Sequence, residues 1–225
     1  MSDLSELDAA SVTVWGGEEH YLLDRATQVP VVHSVAFGYP DFEEWYDVAT
    51  GVAEGHIYGR NTNPTVAVFE EKIRLLEGGE AATSASTGMA AISNTLHALL
   101  RPGNRVVSVK DTYGGTSLLF TEFLPSFGIT CDLIDTTDTA AIERAVSEGC
   151  DLLYLETPTN PTLKVLDLRR LIAAGHGVNA TVVVDNTFAT PMNQLPLALG
   201  ADLVVHSATK FLGGHADALG GVVVG

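Results

Sequence analysis

From residue 63 onward the apolar residues fall into two alternating textures: stretches with apolar positions every three or four residues, and short unbroken apolar runs. "NPTVAVFEEKIRLLEGGE" shows the first kind. Asn63 is placed to cap a helix, Pro64 suits its first position, and Val66, Val68, Phe69, Ile73 and Leu76 follow at helical spacing until Gly78 and Gly79 end it. Helical patterns recur in "GMAAISNTLHALL", in "GTSLLFTEFLPSFG" with an interruption near Pro125, in "TAAIERAVSEG" and in "LDLRRLIAAGHG". Between them "NRVVSV", "TCDLID", "DLLYLE", "TVVVD" and "ADLVVH" read as strands. These runs are apolar throughout instead of alternating, as expected where both faces of a sheet are covered. The alternation of strand and helix predicts an α/β fold built on a doubly wound, mostly parallel sheet.

Residues 1–62 have a different texture. Periodicity is weak there, and "VPVVHSVAF" is the only strand-like run. The expected organisation is therefore an extended N-terminal arm over 1–62, with little core of its own, and a large domain over 63–225. Neither an internal repeat nor a low-complexity linker is visible.

Composition narrows the function classes. Among 225 residues, 46% hydrophobic and 18% charged describes a globular chain, not a disordered one. No apolar run approaches the ~20 residues of a membrane span. The start, "MSDLSELDAA", lacks the basic-then-apolar order of a signal peptide, so a cytoplasmic location is expected. A formal charge of −16 repels nucleic acid and anionic membranes, and neither is expected as a partner. Cys131 and Cys150 follow no metal or redox spacing and read as reduced thiols; the seven histidines lack ligand spacing, so no metal site is expected.

In doubly wound sheets ligands bind beyond the carboxyl ends of the strands. "DLLYLE" runs into Thr157 to Pro161, "TVVV" into Asp185-Asn186-Thr187, and "ADLVV" into His206 to Lys210. A further turn, Thr87-Gly88-Met89, opens a helix whose free N–H groups and dipole suit a phosphate. An acid, an amide, a lysine and a helix start therefore converge on one rim. Lys210 is one of four lysines, follows an apolar strand, and precedes Gly213 and Gly214. Partial desolvation there would push its pKa down toward nucleophilic range. Asp185 near a heterocyclic nitrogen would keep that nitrogen protonated, a charge pair worth up to ~4 kcal/mol at an effective dielectric near 20 before desolvation. Pyridoxal 5'-phosphate needs this set together: a lysine for its aldehyde, an acid for its ring nitrogen, a phosphate cup and an aromatic ring over its face. Tyr113, after "NRVVSV", can supply the ring. Neither G-x-G-x-x-G nor G-x-x-x-x-G-K-[ST] occurs, which disfavours a dinucleotide oxidoreductase or a nucleoside triphosphatase.

The blocks "YGRNTNPT", "LEGGEAATSASTGMAAI", "DTYGGT", "ETPTNPT", "VVVDNTFATP" and "DLVVHSATKFLGGH" resemble, in order, the Cys/Met-metabolism (trans-sulfuration) family of fold-type I pyridoxal-phosphate enzymes. The likeness runs from about residue 28 to the end. It implies an aspartate aminotransferase-like large domain and γ-replacement or γ-elimination on sulfur-containing or O-acylated homoserine-type amino acids. By resemblance, Lys210 bonds the cofactor and shuttles protons, Asp185 partners the ring nitrogen, and Tyr113 stacks and serves as acid or base. Thr87, Gly88 and Met89, with Ser207 and Thr209, resemble the phosphate cup, and Asn160 the contact to the phenolic oxygen. Tyr58 and Arg60 resemble a pair that reaches a neighbouring subunit's phosphate, implying a homodimer or homotetramer with shared sites. Three departures stand out: Thr87 where serine is usual, Gly59 between Tyr58 and Arg60, and Gly115 where methionine γ-lyases carry cysteine. The resemblance also implies a smaller C-terminal domain, with a carboxylate-gripping arginine, beyond Gly225. The alternative expectation is a catalytically incomplete fragment or a non-catalytic assembly subunit.

Overall fold

In the structure, a computed structural model describing residues 8–18 and 26–225, the strands expected from the apolar runs after residue 63 are all present. The chain divides into two compact units, Met1–Leu75 and Leu76–Gly225.

The first unit contains α1 (Ala9–Trp15), α2 (Phe42–Ala49) and most of α3 (Pro64–Glu77). Asp8 and Asp41 cap α1 and α2, each accepting a backbone N–H three residues on, at 2.8 and 2.9 Å. The sequence pattern announced neither helix. Asn63 caps α3 as expected, its Oδ1 accepting the Thr65 and Val66 N–H groups. The run "VPVVHSVAF" is not a strand. At Pro30 and Val32 its backbone is taken up by side chains: Thr65 Oγ1 accepts the Val32 N–H and donates to the Pro30 carbonyl, and Asn63 donates to the Val32 carbonyl. With those groups occupied, the run contributes a single isolated bridge among the described residues, Ala36 to Tyr58.

The second unit is a seven-stranded sheet of β1 (Ala82–Ala85), β2 (Arg105–Val109), β3 (Thr130–Ile134), β4 (Leu152–Glu156), β5 (Thr181–Asp185), β6 (Leu203–Ser207) and β7 (Gly221–Val224). Their order is β1-β7-β6-β5-β4-β2-β3. Neighbours from β6 through β3 are parallel, while β7 runs antiparallel to both β1 and β6. The faces are covered by α4 (Gly88–Leu99), α5 (Gly114–Leu118), α6 (Leu124–Ser126), α7 (Thr139–Ser147) and α8 (Leu168–His176), with a short α9 (Thr190–Asn193) after β5. The break expected near Pro125 takes the form of a π-helical turn, Leu119–Phe123, between α5 and α6. There the Leu124 N–H reaches back to the Leu119 carbonyl, and Pro125 falls in the first turn of α6, where its missing N–H is tolerated.

All five residues of β4 are buried. Leu153 and Leu155 join Ile142, Val146 and Leu171 from α7 and α8 in one core, and Leu152 and Tyr154 join Ile92, Leu96 and Phe120 in the other. A strand feeding two cores has no polar face to show, hence its unbroken apolar run. After β2 the chain moves outward to β3; after β4 it moves the other way to β5. The sheet's switch point therefore lies between β2 and β4, where the loops carrying Tyr113 and Asn160 part.

Candidate active site

At the carboxyl rim of the second unit lies a cavity of about 990 Å³. Of the residues the sequence singled out, Thr87, Gly88, Met89, Tyr113, Asn160, Asp185, Ser207, Thr209 and Lys210 line it. Tyr58 and Arg60 belong to the first unit, where the guanidinium lies 5.2 Å from the centroid of the tyrosine ring.

Helix α4 opens onto this cavity because β1 delivers Thr87 as its cap, Oγ1 accepting the Ala90 N–H at 3.0 Å. A Cβ on Gly88 would lie 2.6 Å from Ser207 Oγ and 2.8 Å from Ser207 Cα. Only glycine lets the helix start press against the end of β6. Gly115 is equally confined: a Cβ there would lie 2.7 Å from Met89 Sδ and 2.9 Å from Tyr113 Cε1. The small residue at 115 is what allows the tyrosine ring and Met89 their present positions.

Asp185 ends β5 at 4% exposure. Thr187 donates to its Oδ1 from both backbone N–H (3.0 Å) and hydroxyl (2.6 Å), and the Tyr154 hydroxyl donates to Oδ2 at 3.2 Å. The Thr187 hydroxyl in turn accepts the Ser207 N–H at 2.8 Å, linking the acid to the next strand. Burial pushes the Asp185 pKa above the ordinary carboxylate range, against the opposing pull of Thr187. Glu156, its register partner on β4, shares the cavity floor. Burial, with the charge of Asp185, raises its pKa to about 8 despite backbone N–H bonds from Tyr113 and Asn160.

Lys210 stands on the turn after β6, its N–H bonded to the Ser207 carbonyl at 3.1 Å, and is exposed at the cavity rim. The desolvation expected of it is thus limited, because it sits past the strand end on a turn. Its ammonium makes no ion pair among the described residues, whereas Lys72 pairs with Glu18 and Lys164 with Asp111. The Thr209 hydroxyl is engaged with Gly220, accepting its N–H at 3.1 Å and donating to its carbonyl at 3.3 Å.

Sequence reasoning missed Glu156, Tyr154 and Thr187, and also Phe188 and Phe211, whose rings pack 5.7 Å apart in the cavity wall. The signal for Glu156 was present: it is the one charged residue closing an otherwise apolar strand after an aspartate start.

On the opposite face of the same strand ends lies a buried polar layer, one position on from Glu156 and Asp185 and one before Ser207. His206 Nε2 and Glu77 Oε1 are 2.6 Å apart with both side chains fully enclosed. Asn186 donates to Glu77 Oε1 and to the Gln194 carbonyl, and Gln194 donates to Asn186 Oδ1 and the Thr157 carbonyl. The ends of β4, β5 and β6 are held from behind.

A 3-layer α/β sheet with its cavity at this switch-point rim is the architecture of the fold-type I pyridoxal-phosphate enzymes, among them cystathionine γ-synthase from Xanthomonas oryzae pv. oryzae, solved in complex with cystathionine. That structure superimposes with a TM-score of 0.88 at 38% identity, covering 97% of this chain and 54% of its own. The chain belongs to the family described as Cys/Met metabolism PLP-dependent enzyme, which matches residues 10–225. It is 48% identical over 171 residues to an L-methionine gamma-lyase of Fusobacterium nucleatum subsp. polymorphum, covering 76% of this chain and 43% of that one. To chloroplastic cystathionine gamma-synthase 1 of Arabidopsis thaliana it is 41% identical over 218 residues, 96% of this chain and 39% of that one. The chain thus spans less than half the length of these curated relatives. Among the described residues no helix is long and apolar enough to cross a membrane, and no cluster of side chains suits a metal ion.

The donor set fits pyridoxal phosphate. Gly88 leaves open a helix start that any side chain would fill, and Asp185 and Glu156 place two buried carboxyl groups in register at the cavity floor, where a protonated ring nitrogen would be favoured.

Proposed function

We propose that this protein carries out pyridoxal-phosphate-dependent γ-elimination or γ-replacement on sulfur-containing or O-acylated homoserine-type amino acids. The observation that carries the reading is the convergence of Lys210, Asp185, Tyr113 and the α4 start on one cavity from four separate chain segments. Its support from relatives lies in the activities for which they are named, methionine γ-lyase and cystathionine γ-synthase.

When bound, pyridoxal phosphate supplies an electron sink for the substrate's α-carbon. Lys210 would hold its aldehyde carbon, and its amine would serve as the group that moves protons at the substrate's α- and β-carbons. Asp185 would keep a proton on the ring nitrogen, and Tyr154 and Thr187 keep Asp185 aimed. The Gly88 and Met89 N–H groups and the Ser207 hydroxyl would bind the phosphate, where the helix dipole favours an anion. Thr209 supports that cup through Gly220. Tyr113 would cover the ring face, and Asn160 its phenolic oxygen. Tyr58 and Arg60 would reach the phosphate of a neighbouring subunit, making the working form a homodimer or homotetramer, in the cytoplasm.

The experiment is reconstitution with pyridoxal phosphate followed by borohydride reduction and peptide mapping. A visible absorbance band that reduction removes, with the label on Lys210, is the expected result; a label on Lys110 or Lys164, or no band, overturns it. Assays with methionine, cystathionine and O-acyl-homoserines then separate elimination, read as α-keto acid, from replacement.

A further inference from the structure

Glu156 stands at the switch point, and its two oxygens point to different loops. Oε2 accepts the Tyr113 N–H at 2.8 Å and Oε1 accepts the Asn160 N–H at 2.9 Å. One loop leaves β2 and the other leaves β4, in opposite directions along the sheet. The same loops are tied again on the outside, where Asp111 accepts from Lys164 Nζ at 2.9 Å and Thr162 Oγ1 at 3.0 Å. The outer tie is partly exposed; the inner one is 4% exposed and lines the cavity.

An acid at this depth is not a packing choice. A leucine or methionine would fill the same volume without the cost of burying a carboxyl group. What the carboxyl group alone provides is two acceptor oxygens at a fixed separation, each retaining a lone pair for an N–H whether or not the group carries a proton. A glutamine offers one such oxygen and sets an NH₂ donor against the other N–H. An aspartate is one methylene shorter and cannot span both.

From this bridge we infer that Glu156 is a positioning residue, fixing the distance between the Tyr113 ring and Asn160 across the cavity. The inference rests on the proposed pyridoxal-phosphate site and adds to it that these two contacts form one unit instead of two independent ones. Neither residue need touch the other: the spacing is carried by a single side chain.

The test uses Glu156→Gln and Glu156→Asp with two readouts. The first is amide hydrogen exchange in the protein without added cofactor. The Tyr113 and Asn160 amides are expected to be protected in the wild type, and at least one to exchange roughly tenfold or more faster in each variant, the loss of one hydrogen bond to a charged or carboxyl acceptor. The second is visible circular dichroism of bound pyridoxal phosphate, which reports how the ring is held. The variants are expected to keep the absorbance band but lose half or more of its dichroism, with kcat falling more than KM rises. Unchanged exchange at both amides overturns the bridge, and unchanged dichroism with altered exchange overturns its positioning role. A wild type with protected amides that takes up no cofactor instead overturns the proposed site itself, so the two failures are distinguishable. Should Glu156→Gln not fold, Glu156→Asp, which keeps the carboxyl, carries the same measurements.

Discussion

The hydroxyl of Tyr154 donates to Oδ2 of Asp185 at 3.2 Å, at a depth where the tyrosine is wholly enclosed and the aspartate 4% exposed. This bond favours the ionised acid and opposes the effect of burial. Tyr154→Phe removes it without leaving a large void. The Asp185 pKa then rises further, so the acidic limb of the pH–activity profile moves to higher pH. Stability falls by about 1–2 kcal/mol, the cost of one buried hydrogen bond. A pH profile and a urea melt of the same variant check both.

Gly88→Ala tests the close approach of α4 to β6. The new methyl meets Ser207 Oγ and Cα at 2.6 and 2.8 Å. Overpacking of this kind costs about 1–3 kcal/mol and displaces the helix start. Affinity for pyridoxal phosphate, measured by fluorescence titration, should drop by roughly tenfold or more, a loss of about 1.4 kcal/mol. Gly78→Ala, at a glycine with no neighbour within 4 Å but a φ of +74°, should lower the melting temperature without that loss of affinity.

Glu156 makes stability pH-dependent in an unusual direction. Its pKa is about 8 in the folded chain against an ordinary 4.5, so the folded state holds a proton that the unfolded state has released. Between about pH 4.5 and 8 unfolding sheds that proton, and stability declines as pH rises. Below that window both states are protonated and the contribution is constant; above it both are ionised and the penalty is complete. Asp185 is shifted in the same sense. Urea melts at pH 5 and pH 9 should show the decline in the wild type, and Glu156→Gln should flatten it by its own share.

The Glu77–His206 pair behind the sheet predicts asymmetric mutants. Glu77→Leu leaves His206 and Asn186 facing an apolar side chain in an enclosed space, and each buried polar group so orphaned costs about 1–3 kcal/mol. Glu77→Gln keeps an acceptor oxygen for one of them and should cost less than half as much. Chemical denaturation of the two variants, each against wild type, reads the difference.

The centre of the sheet was legible because β2, β4 and β5 feed cores on both faces, and two-sided burial writes itself as unbroken apolar runs such as "LLYL". The cavity residues were legible for a related reason: polar groups that follow directly on such runs sit at the strand ends. Partners that depend on distant chain were not legible. Glu77 meets His206 across 129 positions, and no local pattern encodes that. Glu156 read as the end of a strand because its role lies in which N–H groups it reaches. "VPVVHSVAF" has strand composition, yet Asn63 and Thr65 claim its backbone, and β-propensity yields to that context. β1, "ATSA", is too short and too polar to announce itself.

β1 touches only β7 in the sheet, and β7 lies at residues 221–224. As the ribosome extends the polypeptide, Ala82–Ala85 therefore has no ladder to join until Val224 has emerged. Thr87 and the start of α4 hang directly from that strand, so the anion cradle waits on chain about 140 residues downstream before it is fixed. Contacts this far apart in sequence are slow to form. A nascent chain arrested before residue 221 should hold its central parallel strands while leaving the cradle unformed.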